Sequence, residues 1–155
     1  MTESVGSLKE RIQQHPFLEG LPAEYVDLLA DCASTKTFDM DEIVIRAGQP
    51  ATHCCLIESG QIAVTIHDPT RGHVVLQTLS DGGVLGWSWL VPPYRWCFDA
   101  HALQPAEVIM LDGARIRQAF DQDCRLAHEI LQRFLAVFGD RLHAARFQLL
   151  DLYDK

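Results

Sequence analysis

The stretch from Gly86 to Trp96 concentrates the groups in this chain best able to grip a ligand. It holds all three tryptophans (Trp87, Trp89 and Trp96), one of three tyrosines (Tyr94), the hydroxyl of Ser88 and the guanidinium of Arg95. A guanidinium presents a planar fork to a phosphate or carboxylate, and aromatic faces stack on flat molecules. The set therefore suits a flat anion. A short helix starting near Trp87 would add backbone N–H donors, and Pro92-Pro93 stiffens the approach to Arg95. A competing arrangement fills the space with the protein's own indoles and pairs Arg95 with a carboxylate such as Asp99. One of the two is required, because a buried guanidinium without an anion is costly.

Other chemistries have less support. His15, His53, His67, His73, His101, His128 and His143 are dispersed, with no H-x-H pair of the kind that places two metal ligands on one strand. His53, Cys54 and Cys55 are adjacent, but strand alternation sends neighbours to opposite faces. Cys54 and Cys97 are candidate nucleophiles without a nameable base, and neither G-x-S-x-G nor a phosphate loop occurs. The five cysteines are odd in number and lack a C-x-x-C pair, which fits free, mostly buried thiols in a reducing compartment. The expectation is a non-enzymatic protein with no metal and no cofactor.

Composition narrows the class further. The 155 residues include 48% hydrophobic and 22% charged residues, ordinary globular usage and enough for one core. With 13 basic against 21 acidic residues the net charge is -8, which disfavours a nucleic-acid surface. No apolar stretch approaches the roughly 20 residues that span a bilayer, and Met1-Thr2-Glu3-Ser4 opens no signal peptide. A cytoplasmic protein away from membranes is expected.

The elements that must position the aromatic stretch follow from periodicity. Residues 1–33 read as N-terminal helices: Leu8, Ile12 and Phe17 frame one segment broken at His15-Pro16, and Pro22 opens another through Ala33. From Thr35 the period shortens, and strands are placed near 35–39, 42–46, 53–58, 61–67, 73–79, 96–103 and 106–111. Ile62, Val64 and Ile66 alternate with Ala63, Thr65 and His67, and residues 67–72 form a hairpin tip. Helical period returns over 112–153, with Asp112 and Asp123 as caps of a short and a long helix. The fold class is therefore mainly β with flanking helices: a jelly-roll-like β-roll over 35–111, all within one domain, 1–155.

The residues from Ile43 to Val64, with Gly48 and Gly60 at tight turns, resemble the paired-glycine stretch of cyclic-nucleotide-binding domains of the Crp/Fnr type. Leu79-Ser80-Asp81-Gly82-Gly83-Val84-Leu85-Gly86 resembles the approach to that family's phosphate-binding cassette, and Gly86 to Arg95 has the spacing of its glycine and arginine. The resemblance covers about residues 16 to 150. It implies a double-stranded β-roll, a ligand held by Gly86, Trp87, Ser88, Arg95 and Trp96, and dimerisation through the long helix. The family's cassette continues with a glutamate that holds the ribose hydroxyl, where this chain has Trp87; its arginine precedes a small residue, where this chain has Trp96. Both departures argue for a small anionic or nucleotide-like ligand other than cyclic AMP, or for a ligand-free adaptor.

In the last helix Leu131, Leu135, Phe138, Leu142, Ala145, Leu149 and Leu152 recur at alternating steps of four and three. That heptad seam is the pattern of helix-on-helix pairing, so a homodimer is expected. Relatives of the catabolite-activator type append a DNA-reading winged helix, whereas this sequence ends at Lys155, so direct DNA binding is not expected. A small-molecule ligand and a protein partner complete the expected regulatory module.

Overall fold

The structure, a computed structural model, describes residues 5–153; the first residues of the N-terminal helical segment and the last two of the chain lie outside them. The described residues fall into two compact units, one ending at Gln118 and one beginning at Ala119.

In the first unit, helix α1 spans Val5–Gln14. It stops because His15 precedes a proline and is driven to extended backbone, with ψ 128°, before a 3-10 turn at Pro16–Leu18. Helix α2 spans Ala23–Asp31, so Pro22 serves as its N-cap rather than its first turn. Eight strands follow: β1 Ala33–Phe38, β2 Ile43–Ile45, β3 His53–Ser59, β4 Ile62–Asp68, β5 Gly72–Leu79, β6 Val84–Leu85, β7 Asp99–Ala102 and β8 Ala106–Asp112. They form two four-stranded antiparallel sheets, ordered β1-β8-β3-β6 and β2-β7-β4-β5. Seven strands lie where periodicity puts them. The eighth, β6, is two residues long and has no period to read, and β7 is shorter than its expected span.

Burial follows position in the sheets. In β3, Cys54, Cys55, Leu56 and Ile57 are all buried, so this inner strand is apolar on both faces. In the second sheet, Ile62 and Val64 stand opposite Ala102 and Ala100, and all four are buried on the core side. Gly60, between β3 and β4, has φ +101°, and a Cβ there would lie 2.6 Å from the Pro105 carbonyl oxygen. Only glycine fits that turn.

Helix α3, Gly113–Gln122, is capped by Asp112, whose Oδ1 accepts from the N–H groups of Ala114 and Arg115. In the second unit Asp123 caps helix α4, Cys124–Tyr153, by accepting from Arg125 and Leu126. Leu126, Ile130 and Phe134 form its buried stripe. The seam residues lie off that stripe: Leu131, Leu135, Leu142, Ala145, Leu149 and Leu152 are exposed and Phe138 is half-buried.

Candidate functional site

Strand β6 delivers the chain to Gly86, whose φ of +96° turns it sharply. Trp87 follows, half-buried, and then one 3-10 turn, Ser88–Leu90. That turn replaces the helix expected at this point, and three residues provide no aligned row of N–H donors. Trp89 is buried, and its indole N–H donates to the Gly86 carbonyl at 3.0 Å, fastening the turn to the glycine. Ser88 is also buried, and its Oγ has no hydrogen-bond partner among the described residues.

The chain returns through Tyr94-Arg95-Trp96, which lies antiparallel to residues 48–51. The Gly48 N–H donates to the Trp96 carbonyl at 2.8 Å, the Trp96 N–H to Gln49 at 3.0 Å, and the Ala51 N–H to Tyr94 at 2.7 Å. This ladder decides which neighbour faces inward, because adjacent residues of an extended chain point to opposite sides. Trp96 points in, 8% exposed, and Arg95 points out. The Arg95 guanidinium is exposed and donates to the Gly48 carbonyl at 2.8 Å. Arg95, given a ligand role by resemblance, stands on the outer side of this ladder, and its alternative pairing with Asp99 is not formed. That carboxylate instead accepts the Ala47 N–H at 2.8 Å.

The indole of Trp96 takes the space over Gly86. A Cβ at Gly86 would lie 2.5 Å from its Cη2 and 2.6 Å from its Cζ3, so the ring edge rests directly on the glycine. Of the five residues assigned to the ligand, the fold gathers Gly86, Trp87, Ser88 and Trp96 and turns Arg95 away.

A sixth participant, Arg117, has no local signal in the sequence. From α3 its guanidinium lies 4.1 Å from the centre of the Tyr94 ring and donates to the Trp89 carbonyl. Gly113, at the start of the same helix, lets Trp89 in: a Cβ there would lie 3.0 Å from the Trp89 Cβ. The cassette is thus braced from a helix more than twenty residues away in sequence.

Among the described residues the rival chemistries have no assembled site. No group of three His, Cys, Asp or Glu side chains among the described residues is disposed to hold a metal. Burial pushes the Cys55 thiol up to about 12 and raises that of Cys54 well above its ordinary value, so neither supplies a thiolate. Cys32 is buried as well, whereas Cys97 and Cys124 are exposed. His15 is a core residue, with Nε2 3.0 Å from the Ile57 carbonyl oxygen; burial lowers its pKa, against the smaller raising effects of that bond and Glu58. No helix among the described residues is long and apolar enough to cross a membrane.

Known proteins agree with this architecture. The chain is 27% identical over 136 residues to glutaminase 1 of Bradyrhizobium diazoefficiens, covering 86% of this chain but 21% of that protein. It therefore spans about a fifth of that curated relative's length. A solved Geobacter metallireducens GS-15 structure, named for cyclic nucleotide binding, superposes with a TM-score of 0.78 at 23% identity, covering 87% of this chain and 98% of that one. The regulatory subunit of a cAMP-independent protein kinase A from Trypanosoma brucei superposes with a TM-score of 0.69 at 20% identity, covering 84% and 46%. Residues 35–123, more than half of the 155, match the cyclic nucleotide-binding domain. The chain belongs to the cyclic nucleotide-binding domain family.

Proposed function

We propose that residues 1–155 act as one homodimeric regulatory domain whose cassette is occupied by its own Trp96 and therefore works without cyclic AMP. The observation that carries this reading is the indole edge resting on Gly86, where the family's fold would admit a ligand phosphate. Arg95 is engaged elsewhere, and Trp87 offers no acceptor to a ribose hydroxyl. A relative described as cAMP-independent carries the same fold, and the similarity to a fifth of a larger enzyme fits a module that reports to a protein partner. Isothermal titration with cyclic AMP or cyclic GMP is expected to give no saturable heat at micromolar concentrations. Low-micromolar binding of either nucleotide would refute the reading.

The exposed seam of α4 supports the dimer. Leu135, Leu142 and Leu152 are 66%, 54% and 70% exposed, a stripe that a second copy of the same helix would cover. Light scattering at micromolar concentration is expected to give twice the chain mass, and Leu142→Glu to give the monomer by opposing two carboxylates. A wild-type monomer would remove dimerisation from the proposal.

One observation favours a second reading, in which a ligand displaces Trp96. The buried Ser88 Oγ lacks a partner, and a small anion could supply one. Under that reading, a planar phosphate or carboxylate changes tryptophan fluorescence in the wild type and not in Trp96→Phe.

A further inference from the structure

The second sheet has a cavity lined chiefly by residues of the face turned away from the core. Cross-strand partners share a face, and β4 shows which face this is. Beside Ile62 and Val64 stand buried residues, Leu79, Ala100 and Ala102; beside Ala63 and Thr65 stand exposed ones, Thr78, Val75 and, one pair further, His73. His101 and Asp99 of β7 pair with Ala63 and Thr65 and so belong to this outer face. The groove they line has a volume of about 370 Å³ and also takes in Asp41, Ile43 and Arg46, together with Ile45 and its cross-strand partner Ala100 from the core-side set. That volume is within the roughly 300–1,000 Å³ of small-molecule sites.

Its floor contains an anomaly. Thr65 is 1% exposed, yet its hydroxyl has no hydrogen-bond partner among the described residues. A polar group in that state costs about 1–3 kcal/mol when nothing answers it. Small side chains suffice for a central strand, and valine would fit the same space without that cost.

The charges around Thr65 define what would answer it. Asp41 and Asp99 are carboxylates, Arg46 is a guanidinium, and His73 and His101 carry imidazoles. An anion would meet two carboxylates, and a cation would meet a guanidinium. A molecule with both charges satisfies both: its carboxylate on Arg46, its ammonium among Asp41, Asp99 and an imidazole acceptor, its hydrocarbon part on Ile43 and Ile45. Asp99 is already held in place through its Oδ1 by the Ala47 N–H, leaving its other oxygen available to a ligand. A metal ion is the poorer occupant, because no three of these side chains are disposed to ligate one.

We propose that this outer groove binds a small zwitterion of the amino-acid class, with Thr65 as its buried hydrogen-bonding anchor. The site is separate from the cassette and independent of what the cassette holds.

The test is heteronuclear NMR on the full chain, titrating the standard amino acids one at a time to millimolar concentration and following the amides of Thr65 and His101. At least one amino acid is expected to shift both amides saturably, while its methyl ester and its des-amino analogue bind about tenfold more weakly. Thr65→Val is expected to weaken binding about tenfold with an unchanged or higher Tm, since the same change removes an unanswered hydroxyl. The surface variant Arg46→Gln is expected to weaken the amino acid about tenfold and leave its methyl ester unaffected. Absence of any saturable shift, ester and des-amino analogues binding as tightly as the parent, or undiminished binding to Thr65→Val would each overturn the proposal.

Discussion

The cassette and the outer groove each contain a buried hydroxyl without a partner, Ser88 in one and Thr65 in the other, yet their surroundings are opposite. Around Ser88 the chain supplies Trp87 and Trp89, and the Trp96 ring edge rests on Gly86. Around Thr65 the neighbours are two carboxylates, a guanidinium and two imidazoles beside a cavity of about 370 Å³. Aromatic area contributes through packing and is satisfied by the protein alone, whereas charged groups at a cavity wall retain unmet valences. Under the two proposals, the cassette is filled by the chain's own side chains while the outer groove keeps charged groups for a ligand.

Removing the plug tests the first half of that contrast most severely. Trp96→Ala deletes a buried indole and is expected to lower stability by about 3 kcal/mol in urea unfolding. A loss below about 1 kcal/mol would mean that the ring is a loosely held lid rather than packing. Gly86→Ala is expected to cost about 2 kcal/mol, because its new Cβ meets the ring edge at 2.5 Å and the backbone there has φ +96°. The two changes should be less than additive together, since deleting the ring removes the clash; strict additivity in the double-mutant cycle would separate Trp96 from Gly86. Arg95→Ala defines the bottom of the scale. Its exposed single bond to the Gly48 carbonyl predicts a change within about 0.5 kcal/mol and no effect on the indole emission.

Why Arg95 and Trp96 exchange roles also shows what was legible in the sequence. The roll was readable because β3, β4, β5 and β8 are seven or eight residues long, rich in strand-forming residues and bounded by turn residues such as Gly60 and Gly72. The helices were readable through their stops and caps, His15-Pro16, Asp112 and Asp123, which act within one turn. The cassette's parity was not readable. Which of two adjacent residues faces inward is set by the ladder between residues 94–96 and 48–51, a non-local pairing entered through an irregular loop. A one-residue difference in that loop inverts the outcome, while spacing from Gly86 alone pointed to the arginine. Arg117 was hidden for a related reason: only the fold brings α3 beneath Tyr94 and Trp89. The outer groove draws on β2, β4, β5 and β7 together, and no local window contains it.

The bare leucines of α4 carry a consequence for the molecule's dependence on its own abundance. A helix that keeps Leu126, Ile130 and Phe134 covered but leaves Leu135, Leu142 and Leu152 in water would, in the proposed dimer, be covered there by the second copy. Association of this kind couples to folding by mass action, so the melting temperature should climb with protein concentration and fall on dilution. If the proposed dimer forms, expression level becomes an input in its own right: a cell making more of this domain would hold it in a more durable form, before any small molecule or partner is involved.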